Sequence, residues 1–314
     1  TDLNTGLVIK EKKTGSEYVW VEVPRTTAVY PEGKLNITEF TDEEYKDIET
    51  YLHKYTSEYR KGTSFNDVYY KDYTKGWFTD EAAYNIAKKK MLKSVYQNGG
   101  FWVGRYEAGI EKNRTAKGEA TTIPLSKENL YPYTYVKRTQ AKVLAEQVES
   151  GNYTSSLMFG AQWDLVLKYI EIKNPSQKSN LLNNSTTIGN YYNSAFTLNR
   201  GKFAQYGALS DWFDYNSEEK SNLVEKSQKK SQSSWDNGIL LTTGATETTN
   251  LQNIYDIAGN VWEWTLEKTS DDSNSCARSG ASFDNNGLGV PASNRGGNDT
   301  SNSDYRIGFR LSIY

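Results

Sequence analysis

Residues 253–265 read NIYDIAGNVWEWT, and this stretch decides how the rest of the chain is organised. Burying one tryptophan removes about 150–250 Å² from water, roughly 4–6 kcal/mol at about 25 cal/mol per Å² before entropy and polar costs. Trp262 and Trp264 are therefore expected to pin the centre of a domain. In a strand their i, i+2 spacing puts both on one side and turns Glu263 to the other, where a buried carboxylate needs a partner. A cation is one candidate partner. Arg310 is another, and in that case Asp256 simply caps a turn.

Outward from this stretch, RSGASF begins at residue 278 and IGFRL at residue 307. The ordered string resembles the formylglycine-generating enzyme and sulfatase-modifying-factor superfamily, and YVWVEVP, GRYEAG and AQWDLVLKYI extend the resemblance over most of the chain. It implies an α+β, C-type-lectin-like fold with long loop insertions, formed as one domain over residues 1–314. It also implies a structural calcium site made by the side chains of Asp256 and Glu263 and the carbonyls of Gly259 and Val261, donors that suit Ca²⁺.

The enzymes of that superfamily work through two cysteines and a copper ion. At the matching turn, SGASFDNNGLG, Asp284 and Gly289 stand about where the thiols would be, and neither forms a thiolate. Cys276 is the sole cysteine, lies before the turn and reads as a small buried hydrophobe. An iron-dependent branch needs several imidazole or carboxylate ligands, whereas His53 is the single histidine and reads as a helix-end residue. No G-x-S-x-G elbow, H-E-x-x-H or P-loop occurs. Neither an enzyme nor a copper, iron or organic cofactor is expected. The alternatives are a superfamily enzyme with an altered active site and a static adhesion domain.

The closing stretch PASNRGGNDTSNSDYRIGFRL resembles the variable proteins of diversity-generating retroelements, in which mutagenesis of one segment changes ligand specificity. Arg278, Gly280, Pro291, Ala292, Ser293, Arg295, Ile307, Gly308, Phe309 and Arg310 match the fixed landmarks, with Ser279-Gly280-Ala281 standing where the group has two glycines and an aromatic. Between the landmarks, Ser279, Ala281, Ser282, Phe283, Asp284, Leu288, Val290, Asn294, Gly296, Gly297, Tyr305 and Arg306 are expected to face a ligand, while Arg278 and Arg310 pair inward. Such a mixture of adaptable polar residues and aromatic or arginine anchors suits an interface. Polar loops of any protein share much of that composition. The implied function is non-enzymatic binding of a protein or glycan through residues 278–310, at a cell surface, secreted or on a virion. A start at Thr1 rather than Met is consistent with removal of an export signal.

Composition sets the outer bounds. With 37 basic and 39 acidic residues the net charge is -2, which removes the electrostatic case for nucleic acid or an anionic membrane. No run of about 20 apolar residues is present to insert into a membrane. The 24 Tyr, 10 Phe and 8 Trp supply core area despite 36% hydrophobic residues.

Periodicity predicts the scaffold. Val19, Val21 and Val23 alternate in a hairpin turned at Gly15, and Thr41 with Glu44 forms a capping box ahead of Tyr45, Ile48 and Leu52. A second helix is expected from a cap at Thr79 to about Gln97, burying Ala83, Ile86, Ala87 and Val95 and stopping at Gly99 and Gly100. FWVGRYEAG reads as a strand, TQAKVLAEQVESG as a helix capped by Thr139 and stopped at Gly151, and Trp163, Val166, Leu167 and Ile170 as a helical stripe. Residues 173–250 read as long surface loops with brief strands.

Overall fold

A computed structural model describes residues 4–60, 63–205, 209–216, 223–224 and 238–314. The hairpin forms between β1 (Val8–Lys10) and β2 (Glu17–Glu22), with Gly15 at φ 78°, a left-handed turn conformation that glycine adopts freely. β3 (Gly100–Gly104) pairs antiparallel with β2, and Val19 and Val103 meet inside the core. β4 (Ser155–Leu157) completes this first sheet together with a strand from the far end of the chain.

The second sheet is built by the diagnostic stretch. β5 (Trp262–Lys268) pairs antiparallel with β6 (Cys276–Ser279), which pairs antiparallel with β7 (Arg295–Asn298). β8 (Ile307–Phe309) lies parallel to β5, placing Ile307 beside Trp262 and Phe309 beside Trp264. One residue, Arg310, then separates β8 from β9 (Leu311–Ile313), which runs between β3 and β4 in the first sheet. The sheet orders are therefore β1-β2-β3-β9-β4 and β7-β6-β5-β8, and the chain crosses from one sheet to the other at Arg310. The architecture is α+β.

Helix α1 (Asp42–Tyr55) starts as expected, the Thr41 hydroxyl accepting from the Glu44 N–H. The box is not reciprocal, because Glu44 pairs with Lys34 instead. A single turn, α2 (Ser57–Arg60), follows. Helix α3 (Glu81–Asn98) is capped by Asp80, one residue later than expected, and stops at left-handed Gly99. Its buried side is Tyr84, Met91, Leu92 and Val95, with Ile86 exposed, since aromatic residues rather than alanines fill the space. Helix α4 (Arg138–Glu146) begins at Lys137, whose N–H donates to the Gln140 side chain, so Thr139 does not cap it. It ends five residues before Gly151. Helix α5 (Gly160–Lys173) buries Trp163, Val166, Leu167 and Ile170.

One hydrophobic core gathers side chains from Tyr18 to Tyr314. The reading of residues 173–250 as surface loops is corrected in part. Helix α6 (Lys178–Leu182) and the segment after it bury Leu181, Ile188, Tyr191, Phe196 and Leu198. The buried strand Ile239–Leu241 is the ILL run. Residues 206–208, 217–222 and 225–237 of this stretch lie outside the described residues.

Candidate ligand-binding segment

Arg310 is fully buried and sits at the sheet-to-sheet crossing. Its Nε lies 3.0 Å from one Glu263 oxygen and its Nη2 2.6 Å from the other, while Nη1 donates to the Gly104 carbonyl and Nη2 to that of Tyr255. The expected calcium ligands therefore have protein partners. Glu263 is taken by an arginine, and the Asp256 carboxylate accepts from the Gly244 N–H at 2.8 Å and the Thr249 hydroxyl at 2.7 Å. Asp256 adopts φ 58°, in a run of left-handed residues that includes Gly259 and Asn260. Arg310 supplies the counter-charge, so the two carboxylates fit a guanidinium rather than Ca²⁺. Glu107, invisible to sequence reasoning, joins the same buried group, accepting from Asn260 Nδ2 at 2.6 Å and the Val261 N–H at 3.2 Å. Burial, then the neighbouring Asp256 and Glu263, push its carboxyl well above the usual range.

A second buried group anchors β7. Arg295 reaches Asp164 at 2.5 Å and Glu267 at 2.8 Å, and Arg60 contacts the same two carboxylates at 2.9 Å each. Two cations thus face two anions, with Asp164 and Glu267 fully buried.

These anchors divide the tail. Eight of the ten landmark residues are buried: Gly280, Pro291, Ala292, Arg295, Ile307, Gly308, Phe309 and Arg310. Gly280 is required where it stands, because at φ 91° an added Cβ would lie 2.9 Å from the Trp163 ring. Of the twelve residues expected to face a ligand, Leu288, Val290, Asn294, Gly296, Gly297, Tyr305 and Arg306 reach solvent. The other five are corrected: Ser279, Ala281, Ser282, Phe283 and Asp284 are buried. Ser279 faces inward by strand alternation, and Phe283 packs in a small cluster with Leu240 and Val261. Ala281 holds φ 71°, a left-handed conformation that an alanine adopts only with strain.

The exposed residues form two groups. Leu288 and Asn294 line an open cleft of about 810 Å³ whose other wall is Glu58, Tyr59, Phe65 and Leu182. Tyr305 and Arg306 belong to the second group. Arg306 is bound by both oxygens of Asp304 at 2.9 and 3.0 Å and reaches Asp284 at 3.5 Å. Burial raises the Asp284 carboxyl, partly offset by the Ser282 hydroxyl. For Asp304 burial acts the same way, yet the bonds from Arg306 win and hold it below the usual range.

The expected inward pairing holds for Arg310 and fails for Arg278. Arg278 is partly exposed, its guanidinium carbon lies 4.5 Å from the centroid of the Trp262 ring, and its Nε is buried without a hydrogen-bond partner among the described residues. Cys276 is fully buried, and burial pushes its thiol upward, the opposite of an activated nucleophile. His53 lies on α1, where burial and then Arg60 lower its pKa.

No protein family and no curated protein matches this chain. Among solved structures, CarF is 13% identical with a TM-score of 0.37, covering 80% of this chain and 95% of its own. Treponema denticola variable protein 1 is 13% identical with a TM-score of 0.34, covering 68% of this chain and 84% of its own. Among the described residues, no helix is long and apolar enough to cross a membrane.

Proposed function

We propose that this chain is a non-enzymatic ligand-binding protein of the diversity-generating-retroelement type, with residues 278–310 displayed on a single C-type-lectin-like domain. The observation that carries the reading is the alternation inside the tail. Eight of the ten landmark residues are buried, while Leu288, Val290, Asn294, Gly296, Gly297, Tyr305 and Arg306 stand between them and reach solvent. Positions of the second kind tolerate exchange, because surface substitutions away from caps and buried networks usually stay within about 0.5 kcal/mol. The fitting ligand is a protein or glycan on a cell surface. The two polar groups of the tail offer aromatic and arginine anchors beside adaptable asparagine and glycine, a common composition for interfaces.

The test combines binding with stability. Exchanging Leu288, Asn294 and Tyr305 together for alanine is expected to change which cell-surface proteins or glycans the protein captures while the melting temperature stays nearly constant. Unchanged capture, or unfolding by the exchange, overturns the division into scaffold and face. The coding sequence offers a second check, since diversification requires an adenine-rich near-copy of the codons for this segment close by.

A further inference from the structure

We infer that Arg278 is the carboxylate-reading element of the displayed face, and that the ligand it selects is an acidic saccharide. The inference rests on the binding reading above and adds the chemistry of the ligand.

The argument starts from strand register. Arg278 lies opposite Trp264 on one side and Gly296 on the other, so these three and Trp262 share one face of the second sheet, while Ser279 and Arg295 share the opposite face. On that inner face, Arg295 is saturated with carboxylates. On the face shared with Trp262 and Trp264, Arg278 has its guanidinium carbon 4.5 Å from the centroid of the Trp262 ring and no carboxylate within ion-pair distance among the described residues. The carboxylates that act on Arg278 through space, Asp304 and Asp284, are already engaged by Arg306. A guanidinium beside an aromatic ring keeps its charge, and its N–H edge can receive a planar carboxylate through two parallel hydrogen bonds. Burial, then repulsion from Arg306, bring Arg278 down to about 10, so it stays charged at neutral pH but lacks the counter-ion its setting favours.

The surroundings favour a saccharide over an acidic peptide. Asn298, two residues from Gly296 and on the same face, has a buried Oδ1 without a partner among the described residues. It is an acceptor in need of a donor. A sugar acid brings several hydroxyl donors around the ring that bears its carboxylate, whereas an acidic peptide places its N–H donors on the main chain, at the far end of the side chain from the carboxylate. Gly296 keeps the arginine open: a Cβ there would lie 3.0 Å from Arg278 Nε. Position 296 is one of those expected to vary, so its side chain sets whether the arginine is uncovered, crowded or neutralised.

The experiment titrates the intact protein with N-acetylneuraminic acid and glucuronic acid, with N-acetylglucosamine as the neutral sugar and acetyl-glutamate amide as the peptide mimic, read by saturation-transfer NMR. At least one acidic sugar should bind about tenfold or more tighter than the neutral sugar and the peptide mimic. Arg278→Gln should lose that preference, and Arg278→Lys should keep part of it. Gly296→Glu, which supplies an internal carboxylate and leaves Arg278 in place, should also abolish it, and this arm decides if Arg278→Gln lowers the melting temperature. Equal binding of acidic and neutral sugars overturns the inference, as does preferred binding of the peptide mimic or retained preference in Gly296→Glu. If the Leu288, Asn294 and Tyr305 exchange alters capture while these titrations show no acid preference, the inference falls and the binding reading stands. If neither has an effect, both fall.

Discussion

Arg310 and Arg278 both flank the second sheet, and they live in opposite electrostatic circumstances. Arg310 is fully buried, with every carboxylate oxygen of Glu263 and two main-chain carbonyls around it. Arg278 lies in the strand beside Glu263, partly open, with a tryptophan ring as its support and no anion of its own among the described residues. The first arrangement repays the large cost of taking a guanidinium out of water, and it does so with partners drawn from three separate parts of the chain, Gly104, Tyr255 and Glu263. The second leaves binding capacity unspent at the surface. Scaffold and display are thus interleaved along one tail, and what separates them is whether the protein itself satisfies the charge.

The comparison breaks most visibly if the buried member is disarmed. Arg310→Ala leaves Glu263 buried without its cation and should cost about 3–5 kcal/mol, enough to unfold a marginal domain, as measured by chemical denaturation. The left-handed turn is next: Ala281→Gly relieves its strain and should raise stability by about 1 kcal/mol on the same measurement. Glu107 makes the buried group pH-sensitive. Its native carboxyl titrates above the unfolded one, so its stabilising contribution is complete below the ordinary carboxylate range and is lost as pH rises through the native value. Unfolding free energy measured from about pH 5 to about pH 8 should fall, and Glu107→Gln should flatten that slope. The smallest expected effect is that of a chelator. With Arg310 filling the place by Glu263, removing divalent ions should leave the melting temperature unchanged, and a clear drop would restore the metal.

The physical reasons for what was legible differ by region. The Trp262-Glu263-Trp264 triplet announced a buried strand because two large apolar rings at i and i+2 have few other uses, and Arg310 was one of the two partners that Glu263 called for. Helices with caps and periodic apolar faces were placed within a few residues. Asp80 displaced Thr79 as a cap, its carboxylate accepting from the Ala83 N–H, and α4 starts two residues before Thr139, where the Lys137 N–H donates to Gln140. Leu181, Ile188 and Tyr191 were missed because isolated apolar residues in a polar stretch fill the core one at a time, with no period to reveal them. Phe283 looked like an anchor for a ligand since nothing local tells an exposed aromatic from one that packs on Leu240 and Val261. The unpaired state of Arg278 depends on Gly296 lying opposite it, a fact of register that no spacing along the chain contains.

The crossing at Arg310 has a consequence for how a population of such proteins stays sound. Leu311–Ile313 is not a trailing end but an inner strand, hydrogen-bonded on both sides by β3 and β4. Any frameshift within the displayed segment replaces that strand and leaves two neighbours without a ladder. On the proposed binding reading, frameshifted versions would then fail to fold before meeting a ligand, and the topology itself removes them.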